Sequence, residues 1–164
     1  MGFIDSLINS LRLPKKEAMF RLNRKGMTNT IVYLFVLLAV LFLPDMIRTI
    51  RNLDTNLTEV SRGQYLVQVI VFYPMFILFL ILIGVSMLAG IALLMRKALG
   101  RKLTYQQLWK LTAYAATLPL ILTVVLKNIA IPDGVSAILF FVLFSFLMYR
   151  MITIYPKIPT NRLS

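Results

Sequence analysis

The chain has 164 residues and a net charge of +12; 59% of its residues are hydrophobic and 15% charged. Soluble proteins average roughly 45–50% apolar and about 25% charged residues, so a water-shielded interior of this size cannot absorb the apolar sequence present. Cysteine and histidine are both absent, which excludes disulfides, thiolate nucleophiles, Cys/His metal sites and imidazole proton relays.

Four runs carry no Asp, Glu, Lys or Arg: Ile31–Leu43, Val67–Met95, Leu111–Leu126 and Val135–Tyr149. At roughly 0.8 kcal/mol per CH₂ removed from water, such runs call for a bilayer. The sequence therefore predicts an all-α, polytopic membrane protein with four transmembrane helices. An amphipathic helix precedes them.

Along residues 2–12, Phe3, Ile4, Leu7, Ile8 and Leu11 share one helical face and Asp5, Ser6, Asn9 and Ser10 the other. The stretch is too short to span. With Pro14 and the basic residues up to Lys25, it predicts a segment over residues 1–25 lying along the membrane surface, apolar side down and cations among phosphates. Its start does not read as a secretory signal peptide, because the first long apolar run begins only near Gly26.

The transmembrane domain is expected over residues 26–155. Span one covers about 27–46, near the roughly 20 residues that a crossing helix needs. Beyond it, Ile47, Ile50, Leu53, Leu57 and Val60 continue at three- and four-residue spacing, predicting a helical extension; Asn56-Leu57-Thr58 matches a glycosylation sequon. Span two, about 67–95, is long enough to require a tilt, a bend or a start outside the bilayer, and Tyr73-Pro74 is the expected bend. Gly84, Ser86 and Gly90, with Ala89 and Ala92, form a small-residue face suited to close packing within the bundle or to dimerisation.

The connection 96–110 is short and basic. Gly100 can end one helix, and Thr104-x-x-Gln107 can open the next as a capping box. Tyr105 and Trp109 fall where aromatic side chains favour the head-group zone. Span three covers about 107–126 with Pro119 inside it, a kink that either lines a cavity or fits a bent neighbour. Pro132-Asp133-Gly134 makes a turn, span four covers about 135–155, and residues 156–164 form a polar tail.

Charge sets the expected orientation. Fourteen basic residues flank one side: six before residue 26, five over 96–110 and three from Arg150 onward. Four lie on the other: Arg48, Arg51, Arg62 and Lys127. Both termini are thus expected in the cytoplasm of a bacterial inner or plasma membrane.

None of the six carboxylates lies within an apolar run, which argues against a transporter driven through a buried acid. Asp45 can pair with Arg48 three residues on, or with Lys127 in the neighbouring turn. No catalytic grouping, cofactor motif or metal-ligand spacing occurs, and no nucleic-acid partner is expected. Arg96, Lys97, Arg101, Lys102, Trp109 and Lys110 are the candidate contacts to a partner or to anionic lipids of the inner leaflet.

Three stretches, Ser10-Leu11-Arg12-Leu13-Pro14-Lys15-Lys16 leading to Phe20-Arg21, residues 30–44, and 104–115 before Pro119, resemble uncharacterised bacterial membrane proteins named for maltodextrin utilisation, distant relatives of Yip-type membrane domains. The resemblance implies no catalytic residues and no cofactor, and suggests association with uptake machinery. The expected function is a non-enzymatic accessory or scaffold protein binding other membrane proteins or a second copy of itself. The alternative is a small transporter or lipid-handling protein built on the basic ring and the kinks at Pro74 and Pro119.

Overall fold

A computed structural model describes residues 2–52, 59–129 and 131–157. The sequon at 56–58 and the tail from residue 158 lie outside the described residues. Seven helices follow one another among the described residues: α1 (Phe3–Leu11), α2 (Lys16–Asn23), α3 (Met27–Asn52), α4 (Glu59–Ala98), α5 (Tyr105–Ala115), α6 (Thr117–Asn128) and α7 (Asp133–Ile154).

Four segments are long and apolar enough to cross a membrane: Met27–Arg48, Val71–Ala98, Tyr105–Asn128 and Asp133–Ile154. Their outward surfaces are apolar, with Phe72, Phe76, Phe79, Ile83 and Met87 of α4 and Ile138, Phe141, Val142 and Phe146 of α7 all exposed. In water so large an apolar surface would drive aggregation; against lipid tails it is the natural finish. The protein is a multi-pass membrane protein.

The third span is the hub. Of its most apolar window 56% is buried, against 28% in each of the other three. Leu108, Leu111, Tyr114 and Ala115 of α5 face the core together with Leu34 and Leu37 of α3, Ile81 and Ala89 of α4, and Phe144, Met148 and Ile152 of α7.

The prolines fall in three of the spans. Pro74 sits inside α4 and Pro44 inside α3, and both helices run on through them. The 40 residues of α4 reach about 60 Å at 1.5 Å per residue, twice a hydrocarbon core of roughly 30 Å. The interrupted span is the third. It divides at Ala116, where α5 stops and α6 begins, three residues before Pro119. Proline has no N–H and its ring crowds the carbonyl four residues back, here that of Ala115.

The N-terminal segment is docked on the bundle. Met19 and Leu22 of α2 are fully buried and belong to the same core as the spans. Burying such side chains stabilises the docked segment by about 1.5–3 kcal/mol each. The short α1 meets the bundle with residues of both faces, Phe3 and Leu7 of the apolar face packing against the core. Its polar residues Ser6, Asn9 and Ser10 face the protein, and Ile4, Ile8 and Leu11 face outward. The inward polar groups are satisfied locally, Ser10 Oγ donating to the Ser6 carbonyl at 2.8 Å and Asn9 Nδ2 to that of Asp5 at 2.7 Å. The outward residues Ile4, Ile8 and Leu11 suit hydrocarbon surroundings.

Candidate functional site

One end of the bundle gathers α2, the connection from Arg96 to Thr104, and the end of α7. The connection is held at both edges. Gly100 adopts φ +59°, the left-handed conformation that ends a helix cheaply only as glycine. The capping box forms as the Thr104-x-x-Gln107 spacing predicts, Gln107 N donating to Thr104 Oγ1 at 3.3 Å and Thr104 N to Gln107 Oε1 at 3.0 Å.

Three of the candidate cations turn inward. Lys110 Nζ donates to the carbonyls of Asn23 and Lys25, the latter at 2.9 Å, and so closes the open end of α2. Arg101 donates through a guanidinium nitrogen to the Tyr155 carbonyl just past α7. Arg96 Nε in turn donates to the Arg101 carbonyl at 3.2 Å. Helix C-termini leave carbonyls without partners and carry partial negative charge, so ammonium and guanidinium groups are well matched to them.

Tyr155 links the same segments. Asn23 Nδ2 donates to its hydroxyl at 2.9 Å, and its ring lies 5.7 Å from that of Phe20. Burial raises the Tyr155 hydroxyl above the ordinary tyrosine range, with the Asn23 bond acting in the opposite direction. Lys102 N completes the join by donating to the Pro156 carbonyl at 3.1 Å.

Around this bonded centre, Lys97, Lys102 and Lys157 are exposed, as are Lys15, Lys16, Arg21 and Arg24 from the N-terminal segment. Trp109 does not face outward to a partner or to lipid: it is buried, and its Nε1–H donates to Ser86 Oγ at 3.2 Å. Tryptophan N–H groups need an acceptor when buried, and this bond joins α5 to α4.

Further along α3, two hydroxyl pairs face the interrupted span. Thr30 Oγ1 and Tyr114 Oη are 3.1 Å apart, and Tyr33 Oη and Thr117 Oγ1 are 2.9 Å apart. The two tyrosine rings lie 5.2 Å apart. These pairs, like Asn23–Tyr155, join residues remote in sequence and carry no local pattern by which the sequence could reveal them.

The small-residue face is used one position away from the glycines. Ala89 and Ala92 are fully buried, whereas a Cβ added at Gly84 or Gly90 meets nothing within 4 Å. Ser86 contributes its hydroxyl to Trp109 while standing on the exposed side. Pro74 is exposed and lines a shallow apolar recess with Tyr73 and Phe35; Pro119 is buried.

At the opposite end of the bundle, Lys127 Nζ lies 3.1 Å from Asp45 Oδ2, and both side chains are well exposed. Arg48 stands exposed on the same helix. Asp45 is 18 residues beyond Met27, about 27 Å along the helix, so Asp45 and Lys110 are not walls of one cavity.

The arrangement is suited to bracing helix ends and presenting cations to an anionic surface. A family model described as "Protein of unknown function (DUF1189)" matches residues 60–154, more than half of the chain. The matched region includes Ser86, Trp109, Lys110 and the division at Ala116, and begins after α1, α2 and α3. No curated protein and no solved structure matches. The chain belongs to the DUF1189 family.

Proposed function

We propose that this protein is a non-enzymatic accessory or scaffold protein of a bacterial inner membrane, its basic end and both termini in the cytoplasm, docking other membrane proteins through that end. The observation that carries the reading is the division of work among the cations. Lys110 and Arg101 brace helix ends, and Lys97, Lys102, Arg21, Arg24 and Lys157 are left facing outward on the platform so braced. A braced surface loses little conformational freedom when a partner binds, which favours affinity. The fourteen-to-four distribution of basic residues supports the orientation. Anionic head groups of the same leaflet would attract the same cations, and the resemblance to maltodextrin-utilisation proteins supports uptake machinery as the partner class.

Crosslinking in cells from residues 97 and 102, read by mass spectrometry, tests this. A defined membrane-protein partner or a second copy is expected, and Lys97→Glu with Lys102→Glu should reduce the crosslinked yield severalfold. Recovery in mild detergent with no stoichiometric partner, itself included, and no protein crosslink would overturn the reading.

A lipid-handling role is the second reading. It draws on an apolar cleft of about 360 Å³ bounded by Leu38 of α3, Gly84 and Leu88 of α4, Leu120 of α6 and Phe140 of α7. Lipid translocation in liposomes distinguishes it: equal rates with and without the protein remove it.

A further inference from the structure

A second pocket lies where α1 leans on α3. Its volume is about 320 Å³, and its walls change character along its length. Ser6, Lys25 and Asn29 form the polar part, and Phe3, Val32 and Val36 the apolar part. Lys25 stands two residues before the first apolar span, and Val36 lies nine residues inside it, about 14 Å along the helix axis. The pocket thus passes from a charged group at the span's edge to hydrocarbon-facing side chains within it. A phospholipid has the same order of parts over a similar distance.

Lys25 is built into this place. Its side chain is only 10% exposed, and its Nζ lies 3.0 Å from Asp5 Oδ2 and 2.6 Å from Ser6 Oγ. An ammonium has three protons to donate, so one remains for a ligand in the pocket. Arg21 is also close enough for its charge to act on the Asp5 carboxylate. Two cations against one carboxylate leave a local charge of +1, the complement of a singly charged phosphodiester. Val32, at the other end, is largely exposed beside the recess.

We propose that the pocket between α1 and α3 binds one phospholipid, its phosphodiester accepting a hydrogen bond from the remaining N–H of Lys25 and an acyl chain lying along Val32 and Val36. The bound lipid completes the seat of α1, whose outward residues Ile4 and Ile8 already face the same surroundings.

Native mass spectrometry of the full chain in detergent tests the site, with phosphatidylglycerol as probe. After washing that strips loosely held lipid, the wild type should retain one molecule. Val36→Trp, which fills the apolar part and leaves the Asp5–Lys25 pair intact, should lower occupancy at least tenfold. Lys25→Gln should do the same, and Lys127→Gln at the far end should not. A Val32→Trp variant replaces Val36→Trp should the latter fail to fold, judged by its thermal transition. Neither inorganic phosphate nor glycerol phosphate at millimolar concentration should displace the lipid, because neither supplies a chain. No lipid on the wild type, equal retention by the folded pocket variants, or displacement by inorganic phosphate alone would each overturn the proposal, the last by making this a simple anion site.

Discussion

The ammonium of Lys110 lies 2.9 Å from the backbone carbonyl oxygen of Lys25, although 85 residues separate the two in the chain. A side chain from the hub helix thereby closes the end of a helix that composition alone assigns to the membrane surface. The N-terminal segment is part of the bundle because of contacts of this kind, and its attachment can be weakened one group at a time.

Lys110→Met keeps the aliphatic stem and removes the charged donor. Hydrogen bonds from charged groups contribute about 1.5–3 kcal/mol, and two carbonyls lose their partner. Thermal unfolding in detergent should show a loss of that order, and limited proteolysis should cut near Lys15 and Lys16 faster than in the wild type. Unchanged cutting would show that α2 docks without this bond.

The Asp5–Lys25 pair makes docking of α1 depend on pH. The Lys25 hydrogen bond is the main cause holding the Asp5 carboxyl below its ordinary range. A carboxylate with a lowered folded-state value stabilises the fold above its unfolded value, and that stability is lost as pH falls through the folded one. Protection of the amides of residues 3–11, after correction for the intrinsic pH dependence of exchange, should therefore be high at neutral pH and fall under acid conditions. Asp5→Asn should show low protection throughout, with no acid dependence of its own.

Gly84 and Gly90 tolerate a methyl group, and Ala89 and Ala92 do not tolerate larger side chains. Gly84→Ala and Gly90→Ala should leave stability unchanged or raise it by up to about 1 kcal/mol, since Cβ space is open and alanine favours helix. Ala89→Leu and Ala92→Leu push four-carbon side chains into a filled interface and should cost about 1–3 kcal/mol. Denaturant titration in mixed micelles compares the four. Loss of stability in the glycine variants would instead place a second protein surface against that face.

Lys127→Gln at the opposite end should change stability by less than about 1 kcal/mol, because exposed pairs are screened by water and salt. The same titration at low and high salt checks this.

Span number and position were legible because lipid and water sort residues by transfer energy, which needs no knowledge of neighbours. The capping box was legible for a similar reason: Thr104 and Gln107 act on backbone groups three residues away. The site was much less so. Lys97 and Lys102 stand exposed as their charge suggests, but Arg101 and Lys110 belong to the same basic run and turn inward. Nothing in the run distinguishes them, since the deciding carbonyls belong to Tyr155, Asn23 and Lys25.

What the amino-acid sequence determined by itself is the surroundings of the chain: four apolar helices with cations gathered at one end, consequences of hydration energy and 3.6-residue periodicity. What only the tertiary structure decided is which face of each helix is used. The docking of α1 through Ser6, Asn9 and Ser10, the burial of Trp109 against Ser86, the choice of Ala89 over Gly90 and the division at Ala116 all depend on which remote groups come within about 3–4 Å, the range over which hydrogen bonds and close packing act.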